Sequence, residues 1–172
     1  MLNSKTCVET ERKFLIKMPD ISLIESQNGI RAKRIIQTYL KSSKSSSTRV
    51  RKTYENGIVT YTHTVKRRIS AMSSFENERK ISSDEYDKLL LLSDPLRDPI
   101  CKTRYAIPYD SHIFEVDIYD FWNDRAILEV ELLNEKENFV IPSYIDVIKE
   151  VTEDYRYKNS NLAYNHIFEV IK

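Results

Sequence analysis

Along much of the chain, apolar and polar positions alternate with a period of two, the mark of strands buried on one face. Residues 7–16, 34–40, 48–54, 58–67, 74–81, 100–107, 112–119 and 125–133 read this way. Between the third and fourth runs, Glu55-Asn56-Gly57 predicts a tight hairpin, because Asn-Gly accepts the positive φ that such turns need. Helical signals are fewer. Residues 22–31 predict one short helix. Ser82 followed by Glu85 forms a capping box that opens a second, running through Leu92 and ended by Asp94-Pro95. A third is expected over 143–150, after Pro142, and a shorter one within 154–165. The Ser-rich stretch 41–47 reads as a mobile connection. Many strands and few helices imply one antiparallel sheet with helices packed on its outside.

The polar side of nearly every strand is charged, and the charges stand two residues apart. Glu9, Glu11 and Lys13 share a face of the first strand; Arg49 and Arg51 share one of the third. Lys66 ends the fourth on the face of Thr62 and Thr64. Glu76, Glu78 and Lys80 follow on the fifth, Lys102 and Arg104 on the sixth, Glu115 and Asp117 on the seventh, Glu129 and Glu131 on the eighth. On the opposite faces stand Val8, Phe14, Phe114, Val116, Ile118, Leu128, Val130 and Leu132. A single charged face is ordinarily a solvated one. A solvated face, however, would mix Ser, Thr, Gln and Lys, whereas these charges are segregated by sign from strand to strand.

A β-dominated α+β fold explains the segregation. A closed eight-stranded antiparallel β-barrel turns its apolar face outward against the helices and lines its lumen with the charges. So many charges in one cavity are costly without partners. A polyanion with divalent cations supplies them: bases bind phosphate oxygens, and carboxylates bind a hard metal that bridges to the same phosphates.

Composition narrows the alternatives. Lys plus Arg (27) nearly balances Asp plus Glu (26), so the basic excess of a general nucleic-acid binder is missing. Cys7 and Cys101 are the only cysteines and form no CxxC, which suggests neither a disulfide framework nor a zinc site. With only Gly29 and Gly57, no glycine-rich phosphate loop is available, so phosphates must be held by side chains. No apolar run is long enough to span a bilayer and residues 1–13 lack the apolar core of a secretion signal; a cytoplasmic location is expected. The whole chain, 1–172, reads as a single domain. His63 alternates with Tyr61 and Val65 and faces away from Lys66, so it reads as a packed or surface histidine.

At Glu9-Thr10-Glu11-Arg12-Lys13 the sequence resembles the ExExK signature of the CYTH domain, the triphosphate tunnel metalloenzymes. The resemblance continues in order through TRVRK, YTHTVK, FENERKIS, KTRY, FEVDIYD, AILEVEL and EVTEDYRYKNSNLA, over roughly residues 7–165. It implies a tunnel that hydrolyses or rearranges triphosphates with Mg²⁺ or Mn²⁺. By resemblance, Glu9, Glu11, Glu129 and Glu131 are the metal carboxylates, and Lys13, Arg49, Arg51, Lys66, Lys102 and Arg104 bind the phosphates. Glu76 and Glu78 would hold a second metal or orient basic residues, and Asp117 would orient. Tyr155, Tyr157 and Asn161 match an element near the tunnel mouth. Class IV adenylate cyclases of this family tend to carry a His-Phe pair upstream of ExExK, and residues 3–8 here lack it.

The expected activity is metal-assisted transfer of a terminal phosphoryl group to water. Inorganic tripolyphosphate is the first expected substrate, since no segment stands out for recognising a base or a thiamine. Three alternatives stay open: a class IV adenylate cyclase, a thiamine or nucleoside triphosphatase, and a non-catalytic polyphosphate-binding module. The expected partners are the triphosphate and, at most, a second copy in a homodimer; neither nucleic acid nor membrane is expected.

Overall fold

Eight strands form where the alternation places them: β1 (Ser4–Lys17), β2 (Arg31–Leu40), β3 (Ser47–Glu55), β4 (Ile58–Arg68), β5 (Ser73–Ile81), β6 (Ile100–Tyr109), β7 (His112–Tyr119) and β8 (Arg125–Leu132). This computed structural model describes residues 4–43, 46–167 and 170–171. Lys44 and Ser45, in the Ser-rich connection expected to be mobile, lie outside the described residues.

All pairings are antiparallel, in the ring order β5-β4-β3-β2-β6-β7-β8-β1, and β1 returns to β5 to close it. Closure removes the free edges that an open sheet would expose. The hairpin between β3 and β4 turns on Asn56 and Gly57, at φ 50° and 77°, as its sequence predicts.

One strand does double duty. The first half of β1 pairs with β5 (Ser4 opposite Arg79 through Thr10 opposite Ser73), and its second half pairs with β8 (Thr10 opposite Leu132 through Lys17 opposite Arg125). Where β5 leaves, a ninth short strand, β9 (Val147–Glu150), takes over the free edge at Phe14, Leu15 and Ile16.

This corrects the helix expected over 143–150. Val147 and Ile148 are β-branched, and the backbone groups of β1 on that edge need partners; a strand satisfies both demands. The helix expected over 22–31 is also shorter. The helix α1 spans Ile21–Glu25, capped by Asp20 through the Leu23 amide, and the chain turns at Gly29 (φ 76°) into β2. The helix α2 (Ser83–Leu90) does open on the expected cap, Ser82 accepting from the Glu85 amide. The region 154–165 divides into a 3-10 turn at Tyr155–Tyr157 and α3 (Asn159–Leu162), separated by the extended Lys158.

Outward-facing residues of the strands bury two cores. Phe14, Ile16, Ile107, Phe114, Val116, Leu128 and Val130 pack under Ile24 of α1 and Ile145. Leu40, Val50 and Ile81 pack under Tyr86 of α2. A third core lies at one end of the lumen. There the inward face changes from charged to apolar at Leu15, Tyr39, Ile100, Tyr119 and Ile127, and Tyr157 and Leu162 pack against them with Trp122. The C-terminal segment therefore covers part of one barrel end. Of the residues expected outside, Val8 is not covered and stays exposed.

Candidate active site

Alternation along β1, β3, β4, β5, β6, β7 and β8 aims the charged side chains inward, and together they bound a cavity of about 490 Å³. Glu9, Glu11, Lys13, Arg49, Arg51, Lys66, Glu76, Glu78, Arg104, Glu129 and Glu131, all named from sequence, line it. Tyr155 and Asn161 stand at its wall, as expected for a mouth, whereas Tyr157 is buried in the apolar end. A second cavity of about 500 Å³ opens at the other barrel end, lined by Arg31, Glu55, Ser111, His112 and Glu137 among others. Lys33, Glu115 and Glu131 line both, so the lumen runs from one end toward the other.

On the β6–β8 side the charges are locked. Arg104 donates to both oxygens of Asp117, at 2.6 Å from Nε and 2.6 Å from Nη2, to Glu129 at 2.7 Å, and to Glu115. The Lys13 ammonium lies 2.6 Å from Glu129. Lys102 pairs with Asp117, and both side chains are sealed from solvent at 0 % exposure. Burial opposes the ionised carboxyls, yet Arg104 and Lys102 hold Asp117 below its usual range, and Lys13 and Arg104 hold Glu129 well below. Burial also opposes the Lys13 ammonium, but Glu129 and Glu11 outweigh it and raise its pKa. Lys102 is driven the other way, to about 7, by burial and by the neighbouring Arg104.

This placement separates Lys102 from the other expected phosphate ligands. It does not line the cavity and lies beneath Arg104 with Asp117. Its alternation with Arg104 is as predicted; depth along the barrel is what periodicity does not encode. Asp117 is likewise sealed, which fits an orienting position.

On the β3–β5 side the contacts are longer and the groups more open. Arg49 Nη2 is 3.4 Å from Glu76, and Arg51 Nη1 is 3.9 Å from Glu78, which also accepts from Thr64 at 2.8 Å. Arg51 Nε donates to Gln37 at 2.7 Å. The Lys66 ammonium stands among three carboxylates, 2.7 Å from Glu76 and 3.8 Å from both Glu9 and Glu11. Glu9 is raised to about 7 by burial and by Glu76, with Lys66 opposing. Burial, Arg49 and Arg104 push the Arg51 pKa down, a sign of a guanidinium crowded by its own kind. Lys80, on the same face as Glu76 and Glu78, is exposed near the end of β5.

Of the cavity residues, Lys33, Arg97 and Lys158 were missed by sequence reasoning. Lys33 faces inward on β2, which starts at Arg31, before the run read from residue 34; extending the alternation by one residue reveals it. Arg68, Arg97 and Lys158 line the mouth from β4, from the connection before β6, and from between the 3-10 turn and α3. Burial, then Arg68 and Lys13, lower Lys158 to about 8. Cys7 also lines the cavity, its Sγ 3.8 Å from Glu9. His63 points outward beside Arg79 and Glu85, as its phase predicts, and burial lowers its pKa.

Register gives the acids a particular arrangement. Glu115 faces Glu129 directly across β7 and β8, and Glu11 faces Glu131 across β1 and β8. Like charges directly opposite are destabilising unless a cation stands between them. Arg104 does this for Glu115 and Glu129. Among the described residues no three acidic, His or Cys side chains are arranged as a ready-made metal group; lysine ammoniums stand between the carboxylates instead. Among the described residues no helix is long and apolar enough to cross a membrane.

No protein-family model matches the chain. The inorganic triphosphatase of Acetivibrio thermocellus is 32% identical over 162 residues, covering 91% of this chain and 94% of the relative. A crystal structure of an inorganic triphosphatase is similar with a TM-score of 0.60 and 28% identity, over 91% of this chain and 95% of that one. A putative adenylate cyclase from Bacillus halodurans shares the fold, with a TM-score of 0.50 and 21% identity over 76% of this chain and 83% of that one. Because the relationship to the Acetivibrio protein runs through nearly the whole of both chains, the protein belongs to the family of inorganic triphosphatases built on the CYTH fold.

Proposed function

We propose that this protein hydrolyses inorganic tripolyphosphate to pyrophosphate and orthophosphate inside the barrel, with a divalent metal ion. The observation that carries the reading is the convergence of Lys13, Arg49, Arg51, Lys66 and Arg104 on one cavity whose remaining wall is carboxylate. A ligand charged along its full length matches that wall; a nucleotide would leave its sugar and base at the mouth.

In this reading Arg49, Arg51 and Lys66 exchange their long carboxylate contacts for phosphate oxygens, while Arg104 and Lys13 hold the chain from the opposite wall. Guanidiniums fixed before the substrate arrives stabilise charge developing on the terminal phosphoryl oxygens. Water attacks the terminal phosphorus, the bridging P–O bond breaks, pyrophosphate leaves with the electron pair, and the proton of the water passes to solvent. Asp117 and Lys102 act behind Arg104, orienting its fork. Glu76 and Glu78 orient Lys66, Arg49 and Arg51, which is the alternative to a second metal that their contacts favour.

The acids fit a hard cation. Glu11 and Glu131 are opposed like charges, Glu9 is held at about 7 by burial and its acidic neighbours, and Lys66 stands where three carboxylates surround one positive charge. Glu9, Glu11, Glu129 and Glu131 would hold Mg²⁺ or Mn²⁺, which supplies Lewis acidity toward the phosphoryl oxygens when bound.

Phosphate release from tripolyphosphate, ATP, GTP and thiamine triphosphate, with Mg²⁺ and Mn²⁺ in parallel and cyclic AMP assayed alongside, tests the reading. The highest kcat/KM is expected for tripolyphosphate, with no cyclic AMP and no turnover in excess chelator. A higher value for an organic triphosphate overturns the substrate, and full activity in chelator overturns the metal. Binding without phosphate release would make the protein a polyphosphate-binding module.

A further inference from the structure

The bases facing the middle of the lumen are engaged with acids: Lys13 with Glu129, Arg49 with Glu76, Arg51 with Glu78, Lys66 with Glu76, and Arg104 with Asp117, Glu115 and Glu129. Lys33 differs. It makes no ion pair or hydrogen bond among the described residues, although it is only half-buried and faces the same lumen. Its strand fixes that direction. Lys33, Ile35, Gln37 and Tyr39 share a face of β2, Gln37 receives the Arg51 guanidinium, and Lys33 stands directly across the β2–β6 ladder from Arg104. It also lines both cavities, and so marks the point where the charged chamber passes into the second opening.

Among the cations that face the middle of the lumen, the one with no acid partner attracts an anion most readily, because no carboxylate must first be displaced. By family resemblance Lys102 was expected among the phosphate-binding bases, but it is sealed away from the cavity and paired with Asp117. We propose that Lys33 is a substrate-binding residue that takes the innermost phosphoryl group of the triphosphate and thereby discriminates chains of three phosphates from chains of two. A pyrophosphate held by Arg49, Arg51 and Lys66 would not extend to it, whereas the third phosphate would. This rests on the proposed triphosphatase activity, and the experiment separates the two.

Calorimetric titration of the full chain in chelator, with tripolyphosphate and with pyrophosphate, reads the affinity gap between them. In Lys33→Ala the tripolyphosphate affinity should fall by about 10- to 100-fold, the value of one charge-assisted contact. The pyrophosphate affinity should change much less, so the gap narrows. Lys33→Arg should restore most of it, since the charge returns at the same point of the wall. An unchanged gap in Lys33→Ala, whether both affinities fall together or neither moves, overturns the assignment. Wild-type protein that neither binds nor hydrolyses tripolyphosphate would overturn the activity itself. A wild type active on tripolyphosphate with Lys33→Ala equal to it removes only the role of Lys33.

Discussion

The two walls of the lumen carry the same chemistry in different states of tension. On the β6–β8 wall, Arg104, Asp117, Glu129, Lys13 and Lys102 form a short-contact network in which every member is buried. On the β3–β5 wall, Arg49 and Arg51 reach their acids at 3.4 and 3.9 Å, and Lys66 spreads over three carboxylates. Burying charge is costly and is offset only by good geometry and full pairing. The first wall meets that condition by itself, so its Lys13 and Arg104 are fixed in place before any ligand arrives. The second meets it loosely, leaving its bases available to a ligand that pairs them better.

The sharpest break of this contrast comes from the β6–β8 side. Asp117→Ala leaves Lys102 and Arg104 buried beside each other without their shared acid, and should cost about 3–5 kcal/mol of stability, read by urea denaturation. A loss of turnover with wild-type stability would show that Asp117 belongs to the reacting wall instead. On the open wall the expectation reverses. Arg49→Ala and Arg51→Ala should each lose about 10²–10³ in turnover while remaining folded. Arg51→Lys should stay impaired, since a fork becomes a point charge. Near wild-type turnover in both alanine variants would place the substrate elsewhere.

The smallest expected effect is a titration. Glu9 is an acid whose pKa is raised to about 7 in the folded state, so the fold holds a proton that the unfolded chain has already released. Its contribution to the stability of metal-free protein is complete below the usual carboxylate range and is lost as pH rises to about 7. Urea denaturation in chelator at pH 5 and pH 8 should show a decline that is smaller in Glu9→Gln. An identical decline in the variant would mean that Glu9 ionises normally. Asp117 and Glu129, held low, should add nothing in that window.

Legibility in the sequence follows the same division. Period-two alternation announces which face a residue takes, so all eight barrel strands and most of the lumen set could be read directly. It is silent on depth, and Lys102 and Arg104 share a phase while only Arg104 reaches the cavity. It also fails at element ends, which hid Lys33. The segment 143–150 was misread for a different reason: Pro142 looks like a helix opener, but an unpaired edge of β1 recruits the segment as a strand, and tertiary demand overrides local propensity. At 22–31 the early stop is local, since Gly29 takes a positive φ with Pro108 close by.

The double pairing of β1 bears on how the chain comes together. Its first half must find residues 73–79 and its second half residues 125–132, so the barrel closes only after long stretches of intervening chain have been gathered. Such distant pairings form slowly, and a waiting strand with open edges invites association with other chains. Glu9, Glu11 and Lys13 place alternating charge along that strand throughout the wait. The side chains that later line the lumen thus act earlier as gatekeepers of solubility, and replacing several of them by apolar residues would be felt first as aggregation during refolding.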